Sequence, residues 1–488
     1  MRIGLIDTMD KRSGGNGPNV AIAALSGFLT ARGHQVGILD LFHCHGNTEK
    51  KFLERAWDLV GVSATSFDFR VGLEVAAKIK NGSRAPVVFG GAHASVAREE
   101  LLKESVIDYA IYGEGEIPLA GLAELLEKEI RPTAARLREI KGLIFRDGPD
   151  IVVNPPQPRM TDLDLLPLPA YHLFPMASYS EHHLSTSRGC PYKCVYCASG
   201  AIFGKKWVGR SPDRLVEEIE FLIRNHGKKT IVLVDDTFNL DIERVKTFSR
   251  LLIERRLGIS WLLITGMRAD RTDPEMLRLM KESGCQTIGI GIESANPTVL
   301  SNVAKGEAIE DITKGIQLIR EAGFPVVGSF MIGNPGDTLE TVKESLEYAA
   351  IQKLDGVYVY HALPFPQTKL WEYVESHGRF LRTDFTDFDK FIEEPVFETP
   401  DFPYADRVEA YRLAMKAFPS IGASAAHDGR KNAPQRRGIG HYFRAFINET
   451  REHGLRASLE RTAVFLRRHA PSRHQRIGTR TSSPRFPG

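Results

Sequence analysis

The sequence contains little cysteine and no long apolar run for a chain of 488 residues. Five cysteines are too few for a disulfide-dense secreted fold. No apolar run approaches the ~18 residues that a membrane-spanning helix needs, and the N-terminus lacks the longer apolar region of a secretory signal. We therefore expect a cytoplasmic protein without a transmembrane segment, whose cysteines are thiols or metal ligands.

The charge is nearly balanced over the chain but unevenly distributed along it. Residues 431–488 hold 13 Lys and Arg against 3 Glu, a net +10. The other 51 basic and 58 acidic residues leave the rest of the chain near −7. We expect a partly disordered, solvated basic tail. Contact of this tail with nucleic acid or an acidic surface is the alternative.

The first 150 residues alternate short apolar runs with amphipathic stretches. Strands are predicted at 3–6, 35–39, 59–62, 87–89 and 109–111, and helices at 19–32, 69–80, 99–104 and 116–129. This alternation is typical of a doubly wound, Rossmann-like parallel sheet. Such sheets bind ligands beyond the carboxyl ends of their strands, and small residues and glycines follow several of the predicted strands. A cofactor domain is therefore predicted at 1–153.

A proline-rich linker at 154–175 separates this domain from a second alternating series. In that series strands are predicted at 183–187, 230–234, 260–265, 287–292, 326–332 and 356–361, and helices at 212–225, 242–256, 274–283, 309–321 and 339–352. Six strand–helix repeats predict a partial TIM-like (β/α)6 barrel at 176–400, with its active site at the carboxyl ends of the strands. The remainder, 401–488, is predicted to be a small helical region, with helix at 441–470, and the basic tail.

Three of the five cysteines, Cys190, Cys194 and Cys197, lie within eight residues, directly after the first predicted barrel strand. Thiolates select zinc, copper(I) or iron–sulfur clusters. A structural zinc site would need a fourth Cys or His at a suitable spacing, and no Cys or His follows within 25 residues of Cys197. A redox dithiol would leave Cys190 unexplained. A [4Fe–4S] cluster held by three cysteines leaves one iron open to a small-molecule ligand.

The Cys-x-x-x-Cys-x-x-Cys pattern, with Tyr196 before its last cysteine, resembles the radical S-adenosylmethionine (SAM) superfamily. The resemblance implies that SAM chelates the open iron of the cluster, and that a flavodoxin- or ferredoxin-type protein supplies the electron. It also implies SAM contacts near the ends of the barrel strands. Besides Tyr196 these are Asp235, Asp236, Arg268, Glu293, Ser294 and Gly328.

The N-terminal domain resembles the cobalamin-binding domain of class B radical SAM enzymes, and the resemblance extends to about residue 370. The cobalamin contacts that it implies are Ser63, Thr65, Gly90, Gly91, His93, Gly113 and Gly115. The family's Asp-x-His-x-x-Gly motif is missing after the first strand, and His43 and His45 follow the wrong strand. The resemblance therefore implies cobalamin without a protein histidine on cobalt. Cys44 and Cys285 are expected to be inert thiols.

The function implied is a methyltransferase that moves a methyl group from SAM, via methylcobalamin, to an unactivated carbon of a small-molecule or lipid substrate. A cyclase or oxidase with the same cofactors and no net methyl transfer is the first alternative. A cobalamin-binding sensor or scaffold with an inactive barrel is the second. RNA modification through the basic tail is the least favoured, and no nucleic-acid partner is expected.

Overall fold

The computed structural model describes residues 1–9, 17–44, 47–227 and 229–418. The predicted helix at 441–470 and the predicted basic tail lie outside these residues. Both sheets described below belong to one compact unit, so the predicted domain boundaries remain a prediction.

The N-terminal sheet has seven strands in the order β2-β1-β3-β4-β5-β6-β7. Its strands are β1 (Arg2–Asp7), β2 (Gln35–Asp40), β3 (Leu59–Ser63), β4 (Val87–Gly90), β5 (Tyr109–Ile111), β6 (Leu143–Asp147) and β7 (Asp150–Val153). Its helices are α1 (Val20–Ala31), α2 (Thr48–Glu54), α3 (Phe69–Gly82), α4 (Ala92–Ala97), α5 (Glu116–Lys128) and α6 (Ala134–Leu137).

The first five strands pair in parallel, as the sequence predicts. The order in which strands are added to the sheet changes side between β1 and β3, because β2 lies on one side of β1 and β3 on the other. Ligands of such sheets bind at this kind of switch point. The hairpin β6–β7 extends the edge in antiparallel pairing and was not predicted. The segment predicted as a helix at 99–104 forms a 3₁₀ helix, Arg98–Lys103, rather than an α-helix. It follows directly on α4, which was not predicted.

The second sheet is an open barrel of six parallel strands in the order β15-β14-β13-β12-β11-β8. Its strands are β8 (His182–Leu184), β11 (Thr230–Leu233), β12 (Ser260–Met267), β13 (Cys285–Glu293), β14 (Val326–Ile332) and β15 (Gly356–His361). Two-residue strands pair as β9 (Ser187–Arg188) with β10 (Val208–Gly209) and β16 (Arg379–Phe380) with β17 (Phe397–Glu398). The predicted partial (β/α)6 barrel is thus confirmed.

Helices cover the outside of this barrel. They are α7 (Ser199–Phe203), α8 (Pro212–His226), α9 (Ile242–Glu254), α10 (Pro274–Glu282), α11 (Pro297–Asn302), α12 (Ile309–Glu321), α13 (Leu339–Ile351), α14 (Lys369–His377) and α15 (Tyr404–Ala417). Helix α8 shows why such segments fold locally: Ser211 caps its N-terminus, Pro212 opens its first turn, and Gly227 ends it in the left-handed region. Its buried apolar residues pack on the strands.

One apolar core runs through both sheets. It joins Ile3 and Leu5 of β1 to Leu184 of β8 and Trp261 of β12 through residues of the linker such as Tyr171. The linker contains the short 3₁₀ turns Leu163–Leu165 and Tyr171–Leu173 and no continuous helix, and a third such turn, Met176–Ser178, follows it directly. Its prolines therefore fit a packed connection rather than a free spacer. Within the described residues, no helix is both long and apolar enough to cross a bilayer.

Candidate functional site

The three clustered cysteines lie on the loop between β9 and α7. The loop is fixed by backbone bonds: the Val195 N–H donates to the Val303 carbonyl at 3.0 Å, and the Leu370 N–H donates to the Val195 carbonyl at 2.8 Å. At its start, Gly189 has φ +84°, and a Cβ there would lie 2.5 Å from the Lys206 carbonyl oxygen. Because no other residue fits that turn without strain, the glycine sets where the cysteine loop begins.

The thiols face solvent to different degrees, with Cys190 and Cys194 partly buried and Cys197 exposed. Desolvation raises the pKa of Cys194 to about 11 and that of Cys197 to about 12. Binding of a metal cluster must therefore displace protons. Among the described residues, no three His, Cys, Asp or Glu side chains converge on one metal ion. A cubane in which each of the three thiolates binds a different iron stays a prediction of the sequence.

Two carboxylates predicted to contact SAM are engaged by the protein itself. Asp235, at the end of β11, accepts bonds from the Thr186 N–H at 2.6 Å and the Ser187 N–H at 3.2 Å, and from both hydroxyls of these residues. Asp236 accepts a 2.6 Å bond from the Ser199 hydroxyl. Asp235 thus holds the segment leading to the cysteines, and Asp236 holds the helix that follows them. Their contact with SAM stays a prediction.

Glu293, at the end of β13, is the central polar residue of the barrel mouth, which is the region at the carboxyl ends of the barrel strands. The Tyr196 hydroxyl donates to its Oε1 at 2.8 Å, and the Lys305 ammonium lies 3.3 Å from the same oxygen. Its other oxygen, Oε2, is buried and has no hydrogen-bond partner among the described residues. Glu293 also has φ +68°, a strained conformation that persists only where the surroundings fix it. A buried, unpaired carboxylate oxygen beside the cysteine loop fits a hydroxyl-bearing ligand such as the SAM ribose.

Arg268, after β12, is also held by protein groups. Its guanidinium lies 2.8 Å from Asp270, donates to the Lys305 carbonyl at 2.9 Å, and stacks over the Tyr192 ring with 3.5 Å to the ring centroid. Tyr192 stands between the first two cysteines. Arg268 therefore packs against the cysteine loop through Tyr192. Its pairing with the SAM carboxylate stays a prediction.

The last two predicted SAM residues have structural partners. The Ser294 hydroxyl accepts from the Asn296 N–H at 3.2 Å and lies 3.4 Å from the Ser345 hydroxyl. A Cβ at Gly328 would meet Leu354 at 2.7 Å and Ile292 at 2.8 Å. The missing side chain thus makes room for apolar packing against these two residues. The packing explains this glycine without reference to a cofactor.

A cavity of about 300 Å³ opens at the carboxyl ends of the N-terminal strands. Five predicted cobalamin residues line it: Ser63, Gly90, Gly91, Gly113 and Gly115. Gly91 has φ +88°, and a Cβ there would lie 2.9 Å from both the Ser63 hydroxyl and the Ala64 carbonyl. The glycines leave bare backbone facing this space, which is what close approach of a bulky ligand requires. The cavity therefore fits part of a cobalamin molecule.

The other two predicted cobalamin residues do not line this cavity. Thr65 donates to Asp68 at 2.6 Å, and the His93 ring lies 3.0 Å from the Ser66 hydroxyl. Burial lowers the pKa of His93 to about 4, so this ring is neutral at physiological pH. Both side chains hold the loop after β3 in place. Their contact with cobalamin stays a prediction.

Several cavity residues were not found from the sequence. Val20, Ala21 and Ala24 of α1, Pro167 and Pro169 of the linker, and His183 of β8 line the same space. The small residues of α1 are the one signal that could have suggested a close ligand. The linker and β8 come from distant parts of the sequence, so only the packing of the two sheets brings them here.

Buried ion pairs connect the cavity to the cysteine loop. Arg188, two residues before Cys190, lies 3.1 Å from Glu114 and 2.6 Å from Glu116. Arg159 of the linker lies 3.3 Å from Glu114. These carboxylates flank Gly115, so the segment that leads into the cysteines is bonded directly to the loop after β5.

Two family models match the chain. The radical SAM superfamily matches residues 184–349, and the B12 binding domain matches residues 7–123. These ranges contain the cysteine loop and the glycine-lined cavity, respectively.

Curated relatives extend the match beyond the two models. The chain is 32% identical to "Uncharacterized methyltransferase PH0819" of Pyrococcus horikoshii, over 83% of this chain and 88% of that protein. It is 27% identical to the anaerobic magnesium-protoporphyrin IX monomethyl ester cyclase of Cereibacter sphaeroides, over 73% of this chain and 60% of the cyclase. The chain thus spans less than two thirds of the cyclase.

The fold resembles a solved structure along nearly its whole length. The radical SAM methyltransferase TsrM from Kitasatospora setae, solved with cobalamin and a [4Fe-4S] cluster, superposes with a TM-score of 0.72. The likeness covers 95% of this chain and 99% of that one at 19% identity. At this identity the likeness establishes the fold.

Proposed function

Because this chain belongs to the cobalamin-dependent radical SAM methyltransferases, we propose that it transfers a methyl group from SAM, by way of cobalamin, to an unactivated carbon of a small-molecule or lipid substrate. Its cofactors are a [4Fe–4S] cluster, SAM and cobalamin. Bound together, they supply a carbon-centred radical from SAM and a methyl group on cobalt. The observation that carries the proposal is the buried link from the cobalamin-type cavity to the cysteine loop through Arg188 and Glu116.

Within this proposal Cys190, Cys194 and Cys197 hold the cluster, and the surrounding residues keep the cysteine loop in position beside SAM. Tyr196 and Lys305 orient the Glu293 carboxylate from two sides. The apolar wall formed by Met331, Ala362 and Leu363 excludes water from the barrel mouth. A water-poor site protects a reactive radical from side reactions.

The electron donor and the compartment are further parts of the proposal. Cys197 is the exposed cysteine of the three, so the cluster can accept an electron from a flavodoxin- or ferredoxin-type protein docked at this edge. All five cysteines are free thiols. This agrees with a reducing compartment, and we place the protein in the cytoplasm.

The experiment is anaerobic reconstitution of the full chain with iron, sulfide and cobalamin, followed by reduction in the presence of SAM. We expect cleavage of SAM to 5′-deoxyadenosine by the wild type and none by Cys197→Ala. Cys44→Ala is the matched control, because Cys44 lies outside the cysteine loop, and it should keep the activity. Absence of SAM cleavage in the wild type would contradict the proposal.

A cyclase or oxidase with the same cofactors is the second candidate, favoured by the 27% identity to the cyclase of Cereibacter sphaeroides. Methyl transfer adds one methyl group to the product, whereas cyclisation adds none. SAM with a CD3 methyl group therefore distinguishes them. Label in the product supports methyl transfer, and SAM cleavage with an unlabelled product supports the second candidate.

A further inference from the structure

The barrel mouth contains a lysine that the proposed cofactor contacts do not use. Lys390 lies on the segment between α14 and β17, and its Nζ is 4.8 Å from the Tyr360 ring centroid and 5.0 Å from that of Phe391. Its side chain is partly buried. No carboxylate of the described residues forms an ion pair with it: neighbouring Asp389 accepts instead from the Phe391 N–H at 2.9 Å.

The backbone around Lys390 is fixed over the end of β15. The His361 N–H donates to the Lys390 carbonyl at 3.0 Å, and the His361 ring donates to the Glu393 carbonyl at 3.2 Å. The Tyr411 hydroxyl donates to the Phe391 carbonyl at 2.6 Å, and its ring stacks on His361 with 5.1 Å between centroids. His361 at the end of β15 and Tyr411 of α15 thus fix the segment that contains Lys390. The position of the Lys390 backbone is therefore well defined.

Lys390 faces the same space as the predicted SAM contacts. Tyr360, on which the ammonium rests, bonds to Ser329 of β14 and lies in the field of Glu293. Glu293 also acts on Lys390 electrostatically. The Glu293 carboxylate itself lies 3.3 Å from the Lys305 ammonium. Asp389 also acts on Lys390 electrostatically, but among the described residues neither carboxylate forms an ion pair with Lys390.

Burial without an ion-pair partner is costly for an ammonium group. Desolvation accordingly lowers the pKa of Lys390. An anion that bonds to Nζ would offset this cost, since hydrogen bonds to charged groups are the stronger ones. The aromatic rings of Tyr360 and Phe391 would flank such a group without competing for the positive charge as a carboxylate would.

We propose that Lys390 binds an anionic group, a carboxylate or a phosphoryl group, of the methyl-accepting substrate. The inference rests on the proposed function and narrows it, because it favours an anion-bearing small molecule over a neutral lipid. Lys390 acts here as a substrate-binding residue, with Tyr360 and Phe391 as the walls that position its ammonium.

The first test measures how fast an amine-acetylating reagent modifies Lys390 in the reconstituted holoenzyme, by peptide mass spectrometry. Inorganic phosphate and acetate are the probes, and chloride at equal ionic strength is the control. We expect phosphate, acetate or both to slow the modification of Lys390 several-fold. The exposed Lys369, paired with Glu372 at 2.6 Å, should not change. Protection by neither anion would overturn the proposal.

The two probes separate the possible sources of the anion. Protection by phosphate alone indicates a phosphoryl-bearing substrate, and protection by acetate alone indicates a carboxylate-bearing one. Addition of SAM without either probe is the decisive third arm. If SAM alone protects Lys390, the ammonium serves the cofactor, and the substrate proposal is overturned.

The second test uses Lys390→Gln and Lys390→Arg in the holoenzyme. Broadening of the phosphorus NMR signal of inorganic phosphate should be lost in Lys390→Gln and kept in Lys390→Arg, which retains the positive charge. Equal broadening in Lys390→Gln and the wild type would contradict the proposal. Failure of the wild type to cleave SAM would instead contradict the proposed function, whereas the result on anion binding at Lys390 would remain valid.

Discussion

The guanidinium of Arg188 lies 2.6 Å from the carboxylate of Glu116, and both side chains are almost completely buried. Arg188 stands two residues before the first clustered cysteine, and Glu116 begins α5 beside the glycine-lined cavity. The two cofactor regions are therefore joined by a desolvated ion pair rather than by a flexible contact. Removing one partner of such a pair leaves the other charge buried and unpaired.

The first prediction concerns this pair. Arg188→Met and Glu116→Gln should each raise the Kd for cobalamin about tenfold, equivalent to about 1.4 kcal/mol, because the loop after β5 loses its support. The double variant should bind no more weakly than Arg188→Met, because Arg188→Met already removes the ion pair with Glu116 together with that to Glu114. Absorbance titration with cobalamin measures this. Lys103→Met, which removes an exposed ion pair with Glu100, is the control and should leave Kd unchanged. Additive losses in the double variant would contradict the prediction.

The second prediction concerns the cavity backbone. Gly91→Ala should abolish or strongly reduce the cobalamin bound per chain, because its Cβ would collide with Ser63 and Ala64. Gly148→Ala is the control for a glycine with positive φ. Gly148 has φ +63°, and a Cβ there meets nothing within 4 Å, whereas Gly91 combines φ +88° with ψ −164°, a conformation essentially restricted to glycine. Cobalamin content after reconstitution and desalting is the measurement. Equal losses in both variants would show that backbone strain, and not the cavity, is responsible.

The third prediction concerns stability around the barrel mouth. Lys305→Met leaves Glu293 and Glu307, at 3.3 and 3.1 Å from the ammonium, without their cation. The free energy of unfolding should fall by about 3–5 kcal/mol, as for other broken buried pairs. Urea unfolding followed by tryptophan fluorescence measures the change. Lys343→Met, which removes an exposed pair with Glu340, should cost under ~1 kcal/mol. Equal costs for the two variants would be evidence against a buried network.

The fourth prediction concerns pH. Burial and the neighbouring Asp40 raise the pKa of Asp7 from 3.8 to about 7. The folded state therefore binds this proton more tightly than the unfolded state, and the free energy of unfolding should decrease as pH rises from about 4 to 7. Asp7→Asn should remove this pH dependence of the free energy of unfolding, whose slope is on the order of 1.4 kcal/mol per pH unit at most. Urea unfolding of both proteins at several pH values tests it. Identical pH profiles would contradict the raised pKa.

The sequence predicted both sheets because their signals are local. Apolar runs of strand length recur between amphipathic helices, and the parallel order follows from that alternation. The hairpin β6–β7 was missed although each of its strands contains three consecutive apolar residues, at 143–145 and 151–153, on either side of a turn at Gly148. Helix α15 lies within the predicted helical region 401–488, but its bounds were not predicted. It buries Arg407, whose Nε donates to the Phe402 carbonyl at 2.8 Å, and a buried arginine does not look like a core position in sequence.

The sequence proposes site residues where spacing carries the chemistry, and it gives no sign of those that depend on long-range contacts. The cysteine triad and the glycine-rich strand ends are visible as motifs. Lys305 follows α11 in a loop without any motif, yet it lies against Glu293. Arg188 and Glu116 are separated by 72 positions along the chain. Such pairings depend on how the two sheets pack, and one sequence contains no direct signal for that packing.

The central claim, methyl transfer through cobalamin, is tested most directly by the mass of cobalamin extracted from reduced holoenzyme after incubation with SAM that carries a CD3 methyl group. This measurement needs no knowledge of the substrate. We predict that the extracted cobalamin carries the CD3 group, and that Gly91→Ala enzyme yields none. Cleavage of SAM to 5′-deoxyadenosine with the extracted cobalamin free of label would contradict the claim.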